Sequence, residues 1–199
     1  MSIALPAVTS EAAGWVLARE VALPVLAVAG IVVSADVRIP LGLPGHRGLV
    51  WLTLLVTVAL VSRTRQTVVA VGAASTMATL VLGIAPGPGG LVGSVRYVAA
   101  AVLLYAVATT ALARRHRWLV ALAAAPIHLV ALVGSIVTLI GGGYWFAVAS
   151  VGTVERVAFH LGFGLVAGLL GWAAAAAANR TPDRPDQPTP NSPMTGVGR

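Results

Sequence analysis

Two histidines stand inside long apolar stretches of this 199-residue chain, where an ionisable side chain is expensive to place. His128, in Ala125-Pro126-Ile127-His128, has the chemistry of a proton relay or a ligand. A neutral imidazole there equally satisfies a carbonyl that Pro126 deprives of its helical donor. His160 follows Arg156 by four residues, so on a helix the two share a face suited to lining a cavity.

A second chemical set lies in the breaks between apolar stretches. Arg38, His46, Arg47 and Arg96 bring groups that hold an anion. Tyr144 and Trp145, followed by Phe146, bring rings that stack on a planar or apolar surface. Each residue also has a plainer reading. The charges meet solvent or lipid phosphates, and the rings form an interfacial belt at headgroup depth.

Hydrolytic chemistry finds little support. The chain has no phosphate-binding loop with its lysine, no His-Glu-x-x-His and no Gly-x-Ser-x-Gly. Ser75, in Val71-Gly72-Ala73-Ala74-Ser75-Thr76, would be the nucleophile of an intramembrane serine protease, but it lacks the Gly-x-Ser-Gly signature of rhomboid-type enzymes. Cysteine is absent, which removes disulfides and thiolate metal sites. No cofactor and no resident metal are expected, and the chain reads as a non-enzyme.

The elements that must position these groups are apolar helices. Hydrophobic residues make up 58% of the chain and charged residues 10%, with a mean hydropathy of +0.91. Windows of about 20 apolar residues, matched to a hydrocarbon core of roughly 30 Å, give six stretches. They run near Ala13 to Ala35, Gly48 to Ser62, Thr67 to Ile84, Arg96 to Ala113, Trp118 to Ile140 and Arg156 to Asn179. The second is short, and it either begins within Leu41-Gly42-Leu43-Pro44 or sits against protein where irregular backbone is tolerated. The expected fold is all-α, a polytopic integral membrane protein with six transmembrane helices. Residues 1–179 form that domain. Residues 180–199, rich in proline and polar side chains, form a disordered tail. Glu11, Arg19 and Glu20 argue against a cleaved leader, so the first stretch is read as permanent.

All 13 basic residues are arginine. Selection for bidentate anion contacts gives that result, and so does a GC-rich coding bias, which also accounts for the abundant Ala, Gly and Val. The pI of about 11.5 does not imply nucleic-acid binding here, because the charges sit in short loops that orient helices in a bilayer. Arg63, Arg65, Arg114, Arg115, Arg117, Arg180 and Arg184 fall on the side of the termini, against Arg38, Arg47, Arg96 and Arg156 opposite. That 7 to 4 distribution places both termini in the cytoplasm. The inner turns, Arg63-Thr64-Arg65-Gln66 and Arg114-Arg115-His116-Arg117, read as anchors, as does Arg19 beside Glu20. The outer breaks are chemically richer, with Pro86-Gly87-Pro88-Gly89-Gly90 in one and Gly141-Gly142-Gly143 before the rings in another.

Small residues mark close packing. Gly164, Gly168 and Gly171 recur at spacings that form a stripe for another helix, most simply within the same chain. Ala18 and Ala22 form a similar pair in the first stretch.

From about Ala13 to Asn179 the pattern resembles the substrate-binding S-components of energy-coupling factor (ECF) transporters for vitamins and metals. The likeness rests on six helices with cytoplasmic termini, Ala18-xxx-Ala22, the long first outer loop with Pro44-Gly45-His46, and the glycine-rich last helix Leu161-Gly162-Phe163-Gly164-Leu165-Val166-Ala167-Gly168-Leu169-Leu170-Gly171. It implies that Ala18 and Ala22 contact a transmembrane coupling protein joined to two cytosolic ATPases. It also implies that the outer loops enclose one small molecule, a vitamin or a metal ion. The loops carry no motif selecting biotin, riboflavin, thiamine, folate or cobalt, so the substrate stays open. The candidate substrate-binding residues are Arg38, His46, Arg47, Arg96, Tyr144, Trp145 and His160. Two other classes remain: a histidine-dependent membrane enzyme or proton-coupled carrier built on His128 and His160, and a non-catalytic accessory subunit.

Overall fold

The computed structural model describes residues 10–37, 43–84, 91–143 and 150–180, and these are helical, with no strand among them. In chain order the helices are α1 (Ser10–Leu17), a π-helical turn (Ala18–Ala22), α2 (Leu23–Asp36), α3 (Gly48–Val61) and α4 (Thr67–Val81). Then follow α5 (Leu91–Thr109), α6 (Ala111–Arg115), α7 (Trp118–Ile127), α8 (Val130–Gly141) and α9 (Val151–Ala178). Residues 181–199, the greater part of the expected tail, lie outside the described residues.

Three helical stretches are long and apolar enough to cross a bilayer: Gly14–Asp36, Trp118–Gly141 and Val151–Ala178. Gly48–Val61, Thr67–Val81 and Gly93–Thr109 are apolar but shorter. The surface is that of a protein made for lipid. Leu26, Val33, Val81, Val137, Val154 and Leu170 point outward, while Ser75, Thr79, Ser94 and His128 are fully buried. In water this distribution would be inverted.

Several helix bounds differ from the hydropathy reading, each for a physical reason. α5 begins at Leu91, so Arg96 lies inside the helix rather than at its mouth. Its charge is accommodated there because the guanidinium lies over the Trp51 and Tyr97 rings. α9 begins at Val151, one and a half turns before Arg156, which stays exposed. α4 ends at Val81 because Gly83 adopts a positive φ of 65° that stops the helix. The fifth stretch is interrupted just after Pro126, at His128 and Leu129 between α7 and α8, where Ala131 N donates to His128 O and Leu132 N to Leu129 O in tight turns.

α3 is the central helix. At 14 residues it spans only about 21 Å, yet Trp51, Leu52, Leu55, Val56 and Val58 are enclosed on all sides. It begins at Gly48, after a turn over residues 44–47, so the segment around Pro44 does not extend it. α9 lies against α3 and α7, α5 against α4, and α2 against α3 and α4.

The glycine stripe makes the closest of these approaches. A Cβ at Gly164 would meet Ala124 O at 2.7 Å, one at Gly168 would meet Ala121 O at 2.0 Å, and one at Gly171 would meet Val56 Cβ at 2.7 Å. The stripe therefore seats α9 on its own chain. Hydroxyls fasten the same seam: Thr53 Oγ1 donates to Ala167 O at 3.2 Å as well as to Leu49 O at 2.6 Å. Between α4 and α5, Thr76 Oγ1 donates to Ser94 O at 3.0 Å, and Thr79 Oγ1 to Ser94 Oγ at 3.1 Å. Such bonds hold helices together where apolar burial alone gives little preference for one neighbour over lipid.

A matched pair of variants tests this seam. Gly168→Ala should lower stability by about 1–3 kcal/mol through overpacking against backbone. Gly162→Ala, on the same helix with nothing within 4 Å of its Cβ, should be neutral. Thermal unfolding of both in detergent reads the contrast.

Candidate substrate-binding site

The cavity with the richest chemistry lies where α3 stops short. The turn over residues 44–47 caps it, and Gly45, at φ 86°, lets the chain double back so that Gly48 N donates to Gly45 O at 2.8 Å. His46 Nδ1 donates to Leu43 O within the same turn. The turn is laid directly on imidazoles. A Cβ at Gly45 would meet the His160 ring at 3.2 Å, and one at Gly48 would stand 1.6 Å from His128 Nε2.

The two histidines are fixed by backbone. His128, at the end of α7, donates from Nδ1 to His160 O on α9 at 2.8 Å, not to a carbonyl released by Pro126. His160 Nδ1 donates to Arg156 O at 2.8 Å. A carbonyl only accepts, so each ring carries its proton on Nδ1, and a neutral ring then offers Nε2 as an acceptor. Their centroids lie 4.9 Å apart with planes at 35°. Trp51 continues the aromatic chain, edge-on to His128 at 5.7 Å and to Tyr97 at 5.6 Å. Arg96 completes it, with its guanidinium 4.8 Å from the Tyr97 centroid and Nη2 donating to Tyr97 Oη at 2.8 Å.

These groups enclose a cavity of about 180 Å³ lined by His46, Arg47, Trp51, Arg96, His128 and His160, with no carboxylate among its lining residues. The local field is therefore positive. Two hydrogen-bond donors on the lining residues, Arg96 Nε and Trp51 Nε1, are buried without a partner. Unsatisfied buried donors are costly, and an anionic or carbonyl-bearing guest is what would satisfy them.

Four of the residues singled out in the sequence thus meet at one place: His46, Arg47, Arg96 and His160. Arg38, Tyr144 and Trp145 lie outside the described residues. Ala18 and Ala22 are elsewhere, both exposed on the π-helical turn. Sequence reasoning missed Trp51 and did not place His128 in the site. The first carried a signal, since Trp51 follows Arg47 by one helical turn. The second depends on how α7 meets α9, which no local pattern reports. No set of three histidine or acidic residues among the described residues is arranged to hold a metal ion.

Fold and site together define an all-helical protein with an apolar exterior and a cationic, ring-lined cavity at one end. Comparison with protein-family models, curated proteins and solved structures finds no match for this chain.

The fit of Gly48 against His128 gives a sharp test. Gly48→Ala should displace the imidazole, break its bond to His160 O and lower stability by at least about 2 kcal/mol. Adding His128→Ala to it should cost less than the two single changes summed, because the second removes the clash created by the first. Unfolding midpoints of the three variants in detergent provide the comparison.

Proposed function

We propose that the chain crosses the membrane six times with both termini cytoplasmic, and that it is a substrate-binding subunit of the ECF S-component kind. It captures a small anionic molecule from the outer side for uptake energised by separate ATPases. The observation that carries this reading is the meeting of Arg47, Arg96, His46 and His160, from three separate segments, around one cavity with partnerless donors. Guanidinium groups bind carboxylate and phosphate in a planar, two-point fashion, and Trp51 offers a ring face. The arginines favour an organic anion over a metal cation. A cavity of about 150 Å³ accommodates benzene, so the roughly 180 Å³ here suits a single ring, or a chain of similar size, bearing one anionic group. Arg38, Tyr144 and Trp145 complete the pocket in this proposal. Ala18 and Ala22, exposed and four residues apart, form the contact with the transmembrane coupling protein.

The competing histidine-centred enzyme or carrier draws support from the adjacent His128 and His160 rings. It is the weaker reading, because both Nδ1 atoms are committed to backbone carbonyls.

Two experiments decide. Affinity purification of the tagged protein from native membranes should recover a coupling protein and two ATPases; repeated recovery alone would count against the uptake reading. In a thermal-shift screen of small carboxylates and phosphates, a ligand should stabilise the wild-type protein, and Arg47→Ala or Arg96→Ala should weaken its binding by roughly tenfold or more. Unchanged binding in both variants would remove the pocket.

A further inference from the structure

The opposite end of the helices holds a second concave site that the proposed uptake reading does not use. In sequence its residues belong to three separate basic patches, which read singly as anchors. In the fold the π-helical turn Ala18–Ala22, the turn over residues 62–66 and the segment 110–117 come together. Arg19, Arg63, Arg65, Arg114 and Arg117 line a single cavity of about 130 Å³.

Arg19 is held in place by its Nη2, which donates to Val61 O at 2.9 Å and to Asn179 Oδ1 at 2.6 Å. Its Nε is buried and has no partner. Ser62, also lining the cavity and only 9% exposed, keeps its buried Oγ without a partner as well. Glu20, whose Oε1 accepts from the backbone N–H of Arg63 at 2.8 Å, does not line the cavity and is a single carboxylate against five guanidinium groups. No ion pair to any of the five arginines is present among the described residues. Five guanidinium groups converging on one cavity repel one another, and an anion placed between them removes that repulsion.

The dimensions and donors narrow the anion. A volume of about 130 Å³ is roughly that of four water molecules, enough for a tetrahedral oxyanion and too little for a nucleotide. Guanidinium forks match phosphate oxygens, and a serine hydroxyl adds a further donor. Leu112 and Trp118, 61% and 49% exposed beside the same segment, give an apolar surface next to the basic one.

We propose that this cavity binds a phosphate group, presented either as the free ion or by an anionic membrane lipid. The test uses the full-length protein in mild detergent. It is titrated with inorganic phosphate against chloride at equal ionic strength, and separately with phosphatidylglycerol against phosphatidylcholine. Unfolding temperature and lipid retained in native mass spectrometry are the readouts. Phosphate or phosphatidylglycerol should stabilise the protein, and the Arg114→Gln/Arg117→Gln double variant should weaken that binding at least about tenfold. Arg115→Gln, adjacent in sequence but not lining the cavity, should leave it unchanged. All three positions are exposed, so these variants retain the fold. A response to phosphate alone identifies the free ion as the source, and a response to phosphatidylglycerol alone identifies the lipid. Equal weakening by Arg115→Gln and the double variant would reduce the effect to general surface charge and overturn the proposal. Absence of any response to both probes would do the same.

Discussion

The approach of α9 to α7 and α3 at backbone distance is the constraint on which the remaining architecture depends. Where lipid and side chain are equally apolar, helices gain little from hiding leucines from one another, and association relies on close packing and on polar groups between backbones. Gly164, Gly168 and Gly171 permit the first, and Thr53 supplies the second by donating across to Ala167 O. Because α9 is drawn in this far, the carbonyl of His160 comes within reach of the His128 imidazole at the end of α7. The polar cavity is thus a product of the same seam that holds the helices.

α3 contributes by being too short. A helix of full bilayer length would fill the space beyond Gly48, and the turn over residues 44–47 would have no recess to close. Instead the central helix stops early and the chain doubles back at Gly45, so imidazole, indole and guanidinium groups share the remaining volume. Irregular backbone at this depth is tolerable because protein rather than lipid surrounds it. The two ends of the structure then differ in kind. One places cations beside aromatic rings in a partly apolar recess, while the other collects guanidinium groups at the mouths of short turns.

Much of the framework was legible in the chain. Windows of apolar residues placed every long helical stretch, and the spacing of Gly164, Gly168 and Gly171 announced an intramolecular seam without naming the helices across it. Helix starts were less legible. Arg96 and Arg156 looked like boundaries because charge usually marks one, whereas ring faces shelter Arg96 inside α5 and Arg156 stays exposed one and a half turns into α9. Four candidate site residues were found by sorting loops by side, since alternation alone brings His46, Arg47, Arg96 and His160 to one end. His128 was recognised but given the wrong partner, because its hydrogen bond depends on a tertiary approach. The convergence of Arg19 with Arg63, Arg65, Arg114 and Arg117 was invisible for the same reason. Each turn reads as an isolated anchor until the folded chain sets them face to face.

The π-helical turn Ala18–Ala22 bears on how the first helix tolerates change in length. Such a turn is an α-helix carrying one additional residue. Deleting a single residue there would restore regular α geometry and leave the flanking turns nearly in phase, because the widened turn takes up its extra residue locally. Arg19 and Glu20 lie inside the widened turn, so its loss would re-aim them away from Val61 and Asn179 and from the Arg63 N–H. The extra residue therefore acts within the turn itself: Ala27 and Ile31 face the interior further along the helix, while the widened turn aims Arg19 at the basic turns. Chains of this architecture that lacked the insertion would need a different residue in the place of Arg19 to reach the same turns.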